Sequence, residues 1–205
     1  MVLNLEVQPT DKPREPTTPV AKVGCSVELV YRPVVFKSLL FIRQGKFRAL
    51  NNMGWLENNG QAVALSDELD IFLVLGFLER RDALLLNTAI LIDPDGDIIG
   101  RYSKTHFAQG YTVNPSCYNP GTEYPVFDTP FGKASILICY DRQLPEPARI
   151  MALKGAQVMF YPSYGSYSDQ NGWNTVLMRT RAYENRVPVI FSHPFQSLLI
   201  DEDGD

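Results

Sequence analysis

Apolar and polar positions fall into short alternating blocks from about residue 60 onward. Ile71-Phe72-Leu73-Val74-Leu75-Gly76 is apolar on both faces, as in a strand covered from both sides, and a stretch with helical spacing at about 61–69 precedes it. Two strand-like runs, 87–92 and 98–104, are joined by Asp93-Pro94-Asp95-Gly96-Asp97. Proline presets φ for a turn there and Gly96 admits positive φ, which predicts a hairpin with Lys104 at the end of its second strand. A third apolar run, Ser135-Ile136-Leu137-Ile138-Cys139, ends in a cysteine. A polar turn, Leu144-Pro145-Glu146 and a helical pattern through Ala148, Met151 and Ala152 follow, closed by Gly155. Residues 156–161 return as a strand. A helix at 173–185 is predicted next, with Trp173, Val176, Leu177 and Thr180 on one side; Pro188 stops it and 189–191 is again strand. The last residues, 197–205, echo 89–97 as a strand leading into an acidic glycine turn, but without the returning strand, so the sheet reads as incomplete at this end.

The first 59 residues carry less pattern. Residues 1–20 contain Pro9, Pro13, Pro16 and Pro19 among threonines and charges, too little apolar surface to offset ordering, and read as a disordered arm. Val34-Val35-Phe36 reads as a short strand, and 44–59 shows no usable periodicity.

Composition narrows the function. With 205 residues, 45% hydrophobic and 20% charged, the chain supports one globular α/β domain. A net charge of -4, without lysine or arginine runs, argues against a nucleic-acid surface and leaves a small molecule as the expected partner. Apolar runs fall short of the ~20 residues a membrane-spanning helix needs. Cys25, Cys117 and Cys139 make no pairable framework and the start has no signal-peptide pattern, from which a cytoplasmic protein is expected. No His, Cys and acidic cluster has metal spacing and no glycine-rich phosphate loop is present, so neither metal nor cofactor is expected.

The candidate chemistry sits at the cysteine. A side chain at a strand-to-helix corner projects where α/β sheets bind ligands, and the helix start turns unpaired N–H groups toward it. Both a thiolate and an oxyanion are favoured there, which is what a covalent hydrolase needs; a buried strand-end cysteine that only packs is the alternative.

Several blocks resemble the nitrilase superfamily of carbon-nitrogen hydrolases. Cys139-Tyr140-Asp141-Arg142-Gln143-Leu144-Pro145-Glu146, preceded by Phe127-Asp128-Thr129-Pro130-Phe131-Gly132, is similar to the family's nucleophile motif. Gly100-Arg101-Tyr102-Ser103-Lys104-Thr105-His106-Phe107 is similar to its lysine motif, and the separation of 35 positions (139 minus 104) is family-like. Leu75-Gly76-Phe77-Leu78-Glu79-Arg80, Asn87-Thr88-Ala89 and Arg179-Thr180-Arg181-Ala182-Tyr183-Glu184-Asn185 extend the match over about 60–205. The resemblance implies a four-layer αββα sandwich, here incomplete at both ends, with residues 21–59 a divergent segment and a homodimer as the family's usual assembly.

It also implies a mechanism. Cys139 attacks an amide, carbamoyl or nitrile carbon and forms a thioester that water hydrolyses, while Lys104 and the Tyr140 backbone N–H stabilise the oxyanion. Glu146, Arg142 and His106 are expected to brace these groups. The family's base is a glutamate after a Val-Val-Phe-Pro-Glu strand; here Val34-Val35-Phe36-Lys37-Ser38 puts a serine at that place, 66 positions (104 minus 38) before Lys104. A hydroxyl without a partner base cannot accept the proton. The base is therefore unassigned: Glu28 and Glu57 are more simply surface carboxylates, and Asn114 stands near a second expected glutamate. The competing expectation is an inactive, nitrilase-like binding module. A Cys139 dyad with His106 or His193 is disfavoured, and Tyr111, Tyr118, Tyr164 and Trp173 are candidate pocket-lining residues.

Overall fold

The computed structural model describes residues 39–43, 46–50, 66–108, 118–163, 172–193 and 196–205. The expected strand at 34–36, Ser38, Glu28, Glu57, Cys25, Cys117, Tyr111, Asn114 and Tyr164 lie outside the described residues.

Two five-stranded sheets form the body. The first has the order β2-β1-β3-β4-β5, built from β1 (Leu39–Arg43), β2 (Lys46–Leu50), β3 (Phe72–Arg81), β4 (Leu84–Ile92) and β5 (Ile98–Ser103), all antiparallel. The expected hairpin is β4–β5. Its turn closes on Asp93, whose carboxylate accepts the Asp95 and Asp97 N–H groups at 3.1 and 2.8 Å. The β1–β2 hairpin was not readable in the sequence, yet it pairs with β3 through Leu39 opposite Leu75, so part of the segment expected to be divergent belongs to this sheet. Of the predicted helix near 61–69, residues 66–69 form a single helical turn.

The second sheet has the order β10-β9-β8-β7-β6: β6 (Val126–Thr129), β7 (Gly132–Ile136), β8 (Val158–Pro162), β9 (Val189–His193) and β10 (Gln196–Ile200). β7, β8 and β9 run parallel, joined by helices α1 (Pro145–Leu153) and α2 (Trp173–Asn185), as parallel neighbours require a crossover. The α1 boundaries match the predicted stop at Gly155, whose φ of 93° is open to glycine. β10 pairs antiparallel with β9.

The sheets face each other across one core. Phe131 is the hinge of the packing: its ring meets Phe72 of the first sheet edge-on at 5.1 Å and Phe160 of the second at 6.4 Å. Val74, Ala89, Leu91 and Tyr102 join Ile136, Phe160 and Ile190 in this cluster. The opposite face of the first sheet is buried too, at Leu73, Leu75, Ile90 and Ile92, which explains why 71–76 reads as apolar on both sides. Among the described residues these are the helix–sheet–sheet layers of a nitrilase-like sandwich, with α1 and α2 covering the second sheet.

The α2 face expected from the apolar pattern turns out the other way. Trp173, Val176 and Thr180 are exposed, and Asn174, Met178, Arg181, Ala182 and Asn185 are buried. The reason is polar bonding: Arg181 and Asn185 are drawn inward by backbone and carboxylate partners, described below, so the helix rotates its polar stripe to the protein. Trp173 therefore does not line a buried site.

Phe160 is fully buried between the sheets, so Phe160→Ala is expected to cost about 3–5 kcal/mol, whereas Leu153→Ala at an exposed position shifts stability by no more than about 0.5 kcal/mol. Denaturant unfolding of both variants checks this: equal midpoints would contradict the assigned core.

Candidate active site

The lysine and cysteine segments come from different sheets and meet at one buried carboxylate. Asp141 is fully buried, two positions after Cys139. Its Oδ2 accepts the Tyr102 hydroxyl at 2.8 Å and the Ile138 N–H at 2.9 Å. Its Oδ1 accepts the His106 N–H at 3.0 Å and the Thr105 hydroxyl at 3.2 Å, with His106 Nδ1 at 3.3 Å. Tyr102, Thr105 and His106 bracket Lys104, and Ile138 and Asp141 bracket Cys139, so this carboxylate ties the end of β5 to the corner after β7. A buried anion must be compensated by donors of this kind, because solvation by water is lost. The Tyr102 hydroxyl is held in its protonated form, its pKa pushed far up by burial and by the adjacent Asp141 charge.

Lys104 continues β5 and is 6% exposed. Its N–H bonds Asn87 O at 2.8 Å and its carbonyl accepts Gly121 N–H at 2.9 Å. Gly121 has to be glycine: a Cβ there would lie 2.1 Å from Ser103 O. The ammonium sits 5.6 Å from the Phe107 ring centroid, and Phe107 stacks on half-buried Tyr118 at 6.0 Å. Tyr118 thus borders the lysine. Among the described residues no carboxylate lies within ion-pairing distance of Lys104.

Cys139 is half-buried and adopts φ 49°, a left-handed conformation costly for a residue with a Cβ. The other non-glycine residues that share it, Asp70, Asp82 and Arg186, lie at turns or a helix end. A 3-10 turn, Cys139–Gln143, follows, with Tyr140 N–H in its opening turn, where amides lack an intrahelical acceptor. The turn is held from behind by buried Arg181 of α2, which donates to Arg142 O at 3.2 Å and Gln143 O at 3.4 Å while pairing with Glu184 at 2.9 Å. Asn185 in turn bonds Arg181 O at 2.8 Å.

Of the expected bracing residues, Arg142 reaches Cys139: its Nη1 is 3.5 Å from Cys139 Sγ and 3.4 Å from Ser163 Oγ, and its guanidinium lies 5.6 Å from the Phe191 ring centroid. His106 joins the Asp141 network. Glu146 is exposed on the first turn of α1 and makes no hydrogen bond to another described residue. His193 is buried and stacks on Phe191 at 6.0 Å. Sequence reasoning assigned no role to Asp141, Tyr102, Thr105 or Arg181. The run Tyr102–His106, five consecutive side chains able to donate, set against an aspartate two positions after the cysteine, was the available signal. Among the described residues no group of three His, Cys, Asp or Glu is arranged to hold a metal ion, and no described helix is long and apolar enough to cross a membrane.

Comparison with known proteins identifies the family. The family model described as carbon-nitrogen hydrolase matches residues 57–205. A citrullinase of Francisella tularensis is 35% identical over 147 residues, covering 67% of this chain and 51% of its own length. An N-carbamoylputrescine amidase of Solanum tuberosum is 35% identical over 148 residues, 68% of this chain and 49% of its own. The crystal structure of a carbon-nitrogen hydrolase from Helicobacter pylori superposes with a TM-score of 0.65 at 27% identity, covering 72% of this chain and 60% of that one. The chain spans about half the length of the curated relatives it matches.

Removing one donor from Asp141, in Tyr102→Phe, is expected to cost about 1.5–3 kcal/mol. Asp141→Ala strands several buried donors at once and is expected to exceed about 3 kcal/mol or to prevent folding. Gly121→Ala is expected to disturb the Lys104 segment through the Ser103 carbonyl. Thermal melts read the first two; an Asp141→Ala variant as stable as wild type would remove the carboxylate from its assigned place.

Proposed function

The chain belongs to the carbon-nitrogen hydrolase family of the nitrilase superfamily, and from that premise we propose that it cleaves the C–N bond of a small amide or carbamoyl compound through a thioester on Cys139. The observation that carries this reading is the Asp141 clamp, which delivers a strained cysteine and a buried lysine to one corner. The names of the relatives support the substrate class: citrulline and N-carbamoylputrescine both end in a ureido group.

Each residue then has a task. The Cys139 sulfur attacks the carbonyl carbon, and the left-handed backbone holds it forward of the sheet. The carbonyl π pair moves to oxygen, which accepts hydrogen bonds from the Lys104 ammonium and the Tyr140 N–H. Lysine fits because it is a compact charge with three donors. The nitrogen leaves as ammonia or an amine with a proton drawn from water, and hydrolysis of the thioester regenerates the thiol. An oxyanion donor of this kind contributes about 10²- to 10³-fold to the rate.

A second reading, a nitrilase-like binding module that does not turn over, has its own support. The place expected for the base holds Ser38, and Asp141 is filled by four donors, the Tyr102 and Thr105 hydroxyls and the His106 and Ile138 N–H groups, and has no acceptor capacity to spare for a substrate proton. Without a base, acylation proceeds and deacylation stalls.

Ammonia release from citrulline, N-carbamoylputrescine and small ω-amides, measured beside the intact mass of the protein, separates the readings. Multiple turnovers, abolished in Cys139→Ala and reduced at least about 10²-fold in Lys104→Met, support the hydrolase. A single equivalent of ammonia with a persisting acyl adduct on Cys139 supports the module without turnover, and neither ammonia nor adduct rejects the hydrolase and leaves a module that only binds.

A further inference from the structure

Three charged side chains are buried in the two segments that the Asp141 hydrogen bonds tie together, and their charges do not balance. Lys104, Arg142 and Asp141 are 6%, 8% and 0% exposed. Neither cation has a carboxylate within ion-pairing distance among the described residues. Asp141 spends its oxygens on hydroxyls, backbone N–H groups and His106. Arg142 is the less provided for of the two: its Nε is buried without a partner, and its Nη1 reaches only Cys139 Sγ at 3.5 Å and Ser163 Oγ at 3.4 Å. A buried guanidinium stays charged, because its proton cannot be shed in the accessible pH range, so its cost falls only if an anion comes to it. The atom in contact that can become an anion is the cysteine sulfur.

We propose that Arg142 is the counter-cation that holds Cys139 as a thiolate in the resting protein, leaving Lys104 for the substrate oxygen. This rests on the hydrolase reading for its purpose but not for its test. Among the described residues the other charged or titratable groups facing the corner are Lys104 and His106 from the end of β5, Asp141 from the 3-10 turn, Tyr161 from β8, Arg181 with Glu184 from α2, and His193 from β9. Arg181 is already neutralised by Glu184 at 2.9 Å, and Tyr161 is kept protonated, its pKa pushed far up chiefly by burial. The guanidinium carbon lies 5.6 Å from the Phe191 ring centroid, and Nη1 is the nitrogen that reaches the sulfur. In the reaction the thiolate pair forms the C–S bond, and the negative charge passes from sulfur to the substrate oxygen beside Lys104. The nitrogen departs with a proton from water, and attack of hydroxide on the thioester, slow where no base holds it in place, releases the acid and restores the thiolate to Arg142.

The test is the rate of Cys139 alkylation by iodoacetamide against pH, read by intact mass with Cys139→Ala as the blank. Wild type is expected to keep its full rate down to about pH 6, below the range of an ordinary thiol. Arg142→Gln is expected to move the midpoint up by about one pH unit, a roughly tenfold slower reaction on the acid side, with the alkaline limiting rate unchanged. Arg142→Lys, which keeps a cation in the same space, is expected to shift the midpoint less than Gln does. An unshifted midpoint in a folded Arg142→Gln overturns the proposal, as does a Lys variant shifted as far as Gln. Wild type supplies a reading that needs no variant of Arg142: alkylating a thiolate releases no proton, so release of about one proton per Cys139 at about pH 6.5 overturns the proposal. Alkylation is independent of turnover, so a protein inactive on every amide but showing the Arg142-dependent midpoint would sink the hydrolase reading and leave this one standing.

Discussion

The structure depends on the burial of one carboxylate. A two-sheet sandwich is held mainly by non-directional apolar contact, which sets the sheets about a side chain apart but does not fix how the end of one strand lies against the corner of another. Asp141 supplies that fix. It is tied within its own turn through Ile138 and to the opposite sheet through Tyr102, Thr105 and His106. Moving β5 against β7 would leave buried donors without an acceptor, a penalty that apolar sliding does not carry. The directional bonds therefore turn an adjustable packing into a defined relation between Lys104 and Cys139.

The same constraint accounts for the strained cysteine. A left-handed φ at a residue with a Cβ persists only where its surroundings over-determine it. Cys139 has Ile138 N–H bonded to Asp141 on one side, and on the other a turn whose carbonyls are taken by Arg181. The buried polar stripe of α2 is the visible consequence. A helix placed only to cover the sheet would turn Trp173 and Val176 inward; this one instead buries Arg181 and Asn185 because the turn that carries Cys139 needs a donor behind it.

Much of this fold was legible because burial on both faces and alternation leave a direct trace. Ile71–Gly76, the 87–104 hairpin and the 145–153 and 173–185 helices all carry it in residues whose neighbours in sequence are also their neighbours in space. What escaped depends on distant partners. The β1–β2 hairpin gains its place by pairing with β3, a partner distant in sequence. The orientation of α2 follows from a bond to carbonyls 39 residues upstream. Lys104 and Cys139 were found through motif spacing, whereas Asp141, lying in plain sight within the same motif, had no local pattern to mark its role.

The charge balance of the corner bears on the question left by Ser38. A base in a cysteine hydrolase has two separable duties: to take the thiol proton before attack, and to take a proton from water when the thioester is cleaved. Two buried cations against one donor-saturated carboxylate favour an anion at the sulfur before any substrate arrives, so the first duty can be met by electrostatics alone. The second cannot, because no cation activates water by repelling its proton through solvent. A serine in place of the glutamate would therefore not weaken such a cycle evenly: it would spare acylation and concentrate the defect in deacylation. A protein built this way would still recognise and capture its amide even where it released the product slowly, and capture and turnover need to be read as separate properties of the same corner.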